Sequence, residues 1–192
     1  MSKLDEAPHV LADERATWRA WLEANHATAR GAWLVTWRSG SGRVRLDYEE
    51  AVEEALCFGW VDSTGGRVDE ERRKLYFAPR KPRSIWASSN KARVERLIRE
   101  GRMAPAGLAA IERARANGSW EILDTVERLE VPEDLAAALE SRPPAAVNFA
   151  VFPPSARKML LGWVALARRP ATRAARIAEV ADAAARNQRA RS

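Results

Sequence analysis

The chain has 192 residues, 46% hydrophobic and 30% charged, a composition that folds into a globular core and excludes global disorder. No run approaches the roughly 20 apolar residues needed to span a bilayer, and the first ten residues lack the basic end and apolar core of a secretory signal. A single cysteine, Cys57, excludes an internal disulfide, and with only His9 and His26 beside it a metal site is not expected; the expectation is a cytoplasmic chain without cofactor.

The formal net charge is +6, and it is concentrated: the segment 67–99 holds eleven Lys/Arg against four Asp/Glu, a local +7. A concentrated basic surface attracts phosphates, nucleic acid or acidic partners. The competing reading is an Arg-rich composition spread through the whole chain.

In chain order, 1–10 reads as a leader. Asp13 to Asn25 has helical periodicity, with Trp18, Trp21 and Leu22 on one face and Arg15, Arg19 and Glu23 around them. Trp33, Val35 and Trp37 alternate with Leu34, Thr36 and Arg38 as in a strand, and S-G-S-G at 39–42 is a turn without the spacing of a phosphate loop. Asp47 opens a helix with Glu50 three residues on, the pattern of a capping box. Tyr48, Val52, Ala55 and Leu56 make its apolar face, and Glu49, Glu50, Glu53 and Glu54 read as a solvated acidic face near the positive end of the helix dipole. Cys57 reads as a small core residue rather than a reactive thiol.

A strand is expected from Trp60 to Thr64, a hairpin turn at Gly65-Gly66 and a returning strand from Leu75 to Ala78. Pro79 and Pro82 then bracket Arg80, Lys81 and Arg83 in an extended arm. Ser88 or Ser89 caps a helix that buries Val94, Leu97 and Ile98 and ends at Gly101; Pro105 and Gly118 bound the next. The remainder is helical, punctuated by prolines, with a core of Phe149, Phe152, Met159, Leu160, Trp163, Leu166, Ile177 and Val180. This order predicts an α+β core over 11–103 with a small antiparallel sheet, a C-terminal helical region over 104–186 and a tail over 187–192.

Three strings, Y-E-E-A-V-E-E-A-L-C-F-G-W-V-D-S (48–63), F-A-P-R-K-P-R-S-I-W-A (77–87) and R-V-E-R-L-I-R-E-G-R-M (93–103), resemble the YdeI/OmpD-associated, bacteriocin-protection family. W-L-E-A-N-H-A-T (21–28) and W-L-V-T-W-R-S-G-S-G (33–42) are similar to its N-terminal part, and R-R-P-A-T-R-A-A-R-I (168–177) to its C-terminal end. The resemblance implies a YjbR/CyaY-like α+β sandwich and a link to stress, to antimicrobial-peptide or bacteriocin tolerance and to an outer-membrane porin. It supplies no catalytic residue, and Ala87 stands where members of the family commonly carry Ser.

The expected ligand-binding residues are Trp60, Asp62, Arg80, Lys81, Arg83, Trp86 and Asn90. Asp62 reads either as an ion-pair partner of Arg80 or Arg83 or as an acid/base group. Trp60, Tyr76, Phe77 and Trp86 read either as core or as a stacking platform. Arg168, Arg169, Arg173 and Arg176 read as a solvated helix end. The function expected is non-catalytic binding of an anionic small molecule or polyanion. A nucleic-acid-binding or interaction protein, and an enzyme using Asp62, are the alternatives. The expected state is a monomer or weak homodimer without membrane insertion.

Overall fold

The structure, a computed structural model, describes residues 6–190. The chain divides after Trp120 into two compact units. The first has the order β1 (His9–Leu11), α1 (Arg15–Asn25), β2 (Ala32–Trp37), α2 (Tyr48–Cys57), β3 (Trp60–Arg67), β4 (Arg72–Pro79), α3 (Ser88–Arg99) and α4 (Pro105–Ala116). Its four strands form one sheet in the order β1-β2-β4-β3. β2–β4 and β3–β4 are antiparallel as expected. β1, which begins in the segment 1–10 read as a leader and ends at Leu11, adds a parallel edge through His9↔Trp33 and Leu11↔Val35.

One face of the sheet carries the core. Leu34 and Phe77 share one buried cluster with Trp18 and Leu22 of α1, Val52 and Leu56 of α2, and Val94 and Leu97 of α3. The apolar spacing of α1 and α2 therefore does what periodicity demands, with two corrections. Tyr48 is half exposed, leaving α2 to bury Ala51, Val52, Ala55 and Leu56, and Ile98 of α3 is exposed. α2 begins as read, the Glu50 carboxylate accepting from the Asp47 backbone N–H at 3.3 Å. It ends where α4 crosses it at very short range: Ala104 N–H donates to the Cys57 carbonyl at 3.0 Å, and a Cβ on Gly107 would lie 2.2 Å from that oxygen. Only glycine fits there.

The β3–β4 hairpin also differs from its reading. Gly65 and Gly66 lie inside β3, beyond a register shift between Asp62 and Gly65. The turn is made instead by residues 68–71, where Asp69 Oδ1 accepts from the backbone N–H groups of Glu71 (3.0 Å) and Arg72 (2.7 Å). An aspartate that satisfies its own turn replaces the glycine signal. After β4 the chain does not run extended. Ser84 N–H bonds the Lys81 carbonyl at 2.9 Å, so Pro82 and Arg83 sit at the centre of a tight turn.

The second unit is helical: α5 (Ile122–Glu127), α6 (Glu133–Glu140), α7 (Ala145–Val151), α8 (Pro154–Ala165) and α9 (Pro170–Ala185). Leu135, Phe149, Leu160, Val164 and Val180 centre its core, joined by Phe152 and Ile177 as expected. Met159 and Leu166 are exposed. Arg173 holds Asp134 through two bonds of 2.6 and 2.9 Å, and Arg176 donates to the Trp163 carbonyl while its guanidinium lies 5.1 Å from that ring. These two arginines tie helices together rather than ending one in solvent. Among the described residues no helix is long and apolar enough to cross a membrane.

Candidate functional site

The expected site residues are distributed over three environments. Trp60 is core: it is fully buried, its ring meets Trp21 edge-on at 5.8 Å, and its indole N–H donates to the His26 carbonyl at 3.3 Å. Phe77 packs on Trp18, and Tyr76 on Trp33. With Trp86 buried as well, these four aromatics have separate partners and present no common open face.

Asp62, on β3, is half-buried, and its Oδ2 accepts from the Tyr48 hydroxyl at 3.0 Å. Burial and then the bond to Asp62 raise the Tyr48 phenol above its ordinary pKa. Beside this pair, Arg93 of α3 grips Glu49 with Nε (2.8 Å) and Nη2 (2.7 Å) and donates from Nη1 to Asn90 Oδ1 at 2.9 Å. Asn90 is thus occupied in positioning an arginine.

Arg80 follows β4 immediately and is 8% exposed. Its Nη2 donates to the Ile85 carbonyl at 2.7 Å, and its guanidinium lies 3.9 Å from the centre of the Trp86 ring. Trp86 in turn tilts against Trp120 at 5.0 Å. The other two guanidinium nitrogens, Nε and Nη1, are sealed from solvent and have no hydrogen-bond partner. Among the described residues neither Arg80 nor Arg83 forms an ion pair with Asp62. Burial lowers the Arg80 pKa to about 10, and the charge of Asp62 offsets only part of that. Lys81 and Arg83 are exposed on the following turn, which Asn117 anchors by donating to the Pro82 carbonyl at 2.7 Å.

Of the four acidic residues read as solvated, Glu49 is exposed, but Glu53 and Glu54 prove to be the most heavily engaged charges in the unit. Glu53 and Glu54 are 3% and 1% exposed. Glu54 takes Arg15 Nε at 2.5 Å, Arg19 Nη1 at 2.7 Å and Arg102 Nη2 at 2.5 Å. Glu53 takes Arg15, Arg96 and, at 3.4 Å, Arg102. Burial pushes both carboxyls up, and the arginine hydrogen bonds and charges together outweigh it, leaving both pKa values below the ordinary range. Arginines from α1, α3 and the loop after α3 thus converge on two carboxylates of α2, a clamp whose charges are spent on one another. Cys57 lies under it with its thiol pushed up, first by burial and then by Glu54. The signal in the sequence is the spacing of Glu49 and Glu53, with Glu54 beside them, against Arg at 15/19 and 93/96, each pair at helical spacing on neighbouring helices.

Two family models match the chain, one per unit. Residues 10–110 match a domain of unknown function (DUF8412). Residues 128–187 match the model described as bacteriocin-protection, YdeI or OmpD-associated. The second match contains the 168–177 string, whereas the central strings of 48–103 fall within the first. No curated protein and no solved structure matches the chain.

Proposed function

Because this chain belongs to the DUF8412 family and carries a C-terminal segment of the bacteriocin-protection, YdeI or OmpD-associated type, we propose that it is a non-catalytic binding protein for an anionic ligand, acting in stress or antimicrobial-peptide tolerance. The observation that carries the binding reading is the Arg80 guanidinium, buried on Trp86 with two N–H-bearing nitrogens unpartnered. A buried cation without a carboxylate is costly, and an anion that reaches it removes that cost while gaining charge-assisted hydrogen bonds. Lys81 and Arg83 on the adjoining turn raise the local concentration of anions at the same corner. Because Nε and Nη1 are sealed, capture goes with a shift of the Lys81–Ser84 turn, which Pro82 keeps short of conformations and so cheap to re-form.

The test titrates wild type and Arg80→Met with inorganic phosphate, ATP, citrate and a single-stranded oligonucleotide. At least one probe should saturate the wild type and bind Arg80→Met at least tenfold more weakly. The measured quantity is the affinity ratio, since Arg80→Met also removes the Ile85 bond and the stacking on Trp86. Saturation by the oligonucleotide alone, with an affinity that falls steeply with salt, would favour a nucleic-acid-binding protein. If no probe binds, or if the variant binds as well as the wild type, Arg80 is not an anion site.

A further inference from the structure

On the helix-facing side of the sheet a cavity of about 180 Å³ lies between the strands and the first turns of α2. Its body is apolar, formed by Leu34, Leu46, Ala51 and Leu75. Its β3 wall has no side chain. Gly65 pairs with Leu75 in the register that places Leu75 opposite Leu34, so a side chain at 65 would grow across this space. A Cβ there would already stand 3.3 Å from the Lys74 carbonyl oxygen and 3.5 Å from Leu75 Cδ1. A glycine inside a strand is costly unless something else uses the room it leaves. At the rim, Arg73 is exposed; its Nε donates to Thr36 Oγ1 at 3.4 Å, which steers the guanidinium, and among the described residues its two Nη groups make no bond.

We propose that this cavity binds a small monocarboxylate with a compact apolar body the size of a single ring, the carboxylate on Arg73 and the body among the leucines. The dimensions fit: an apolar protein cavity of about 150 Å³ takes up benzene. The chemistry fits as well: Asp47, Tyr48, Thr36 and Lys74 also border the space, but of these and Arg73 it is the guanidinium, its two Nη groups without a bond among the described residues, that offers a carboxylate two parallel hydrogen bonds, while the leucine-lined body offers an ionised group nothing. The site is separate from Arg80 and does not depend on the function proposed above.

Benzoate and cyclohexanecarboxylate are the probes, with benzyl alcohol as the uncharged control, followed by backbone amide chemical shifts of the full chain. Both acids should give saturable shifts at Thr36, Ala51 and Gly65, with benzyl alcohol at least tenfold weaker. Arg73→Met, at an exposed position that leaves the core untouched, should weaken benzoate at least tenfold. Gly65→Leu should abolish binding by filling the space; if it does not fold, Arg73→Met decides alone. Arg99→Met, which removes an exposed arginine of α3 that does not line the cavity, should bind benzoate as the wild type does. Absence of saturable shifts at these amides, undiminished binding by Arg73→Met, or loss of binding in Arg99→Met would each overturn the proposal.

Discussion

Replacing Glu54 by Gln tests the clamp at its centre. The change keeps the shape of the side chain but removes the charge and turns one acceptor into a donor, facing three guanidinium groups that can only donate. Removing one member of a fully buried ion pair costs about 3–5 kcal/mol, and an exposed pair is worth about 0–1 kcal/mol. Glu54 belongs to the first class, its side chain being 2% exposed, but Arg15, Arg19 and Arg102 keep 27–32% of theirs in contact with water and can rehydrate. A loss of about 2–3 kcal/mol at pH 7 follows from the values bracketing it. The pH dependence gives a second reading. The folded-state pKa values of Glu53 and Glu54 are depressed, so their contribution is complete above the ordinary carboxylate pKa and is lost as pH falls through the depressed folded values. Urea titrations of wild type and Glu54→Gln across pH 7 to 3 should therefore converge toward the acid end. A loss below about 0.5 kcal/mol, the range of surface changes, or a difference that stays constant with pH, would refute the clamp.

Leu56→Ala, at a fully buried position on α2, should cost about 2–5 kcal/mol in the same titration; an unchanged midpoint would mean that α2 is not central to the unit. Gly107→Ala forces α4 away from the Cys57 carbonyl and should cost about 1–3 kcal/mol, measured as a lower midpoint without a change in slope.

Local patterning carried the helices and much of the sheet. Trp18 and Leu22 on α1, and Val52 and Leu56 on α2, lie where 3.6-residue spacing puts them, because burial of an amphipathic face is decided within a few turns. The errors occur where a distant partner decides. Glu53 and Glu54 look like a solvated face until arginines from 35 to 49 positions away arrive to compensate their burial. Charge alone makes Asp62 a candidate ion-pair partner of Arg80 or Arg83, or an acid/base group, yet Asp62 bonds Tyr48 and Arg80 turns back onto Ile85 and Trp86. Gly65-Gly66 is a hairpin signal, and Asp69 overrides it by closing a turn three residues further on. Of the expected site, Asp62 and Asn90 fall in polar surroundings and Arg80 is buried against Trp86, while the burial of Trp60 could not be read from an aromatic whose strand has both a core face and another.

Seven of the eight tryptophans precede the division at Trp120, and Trp163 alone lies beyond it. Intrinsic fluorescence is therefore a report dominated by indoles of the α+β unit. A Trp163→Phe protein makes that report complete. Subtracting its emission from that of the unaltered chain isolates one indole, held close to the Arg176 guanidinium, as an optical probe of the region matched by the bacteriocin-protection model. The two matched segments can in this way be followed by separate signals in one cuvette, without cutting the protein or attaching a dye.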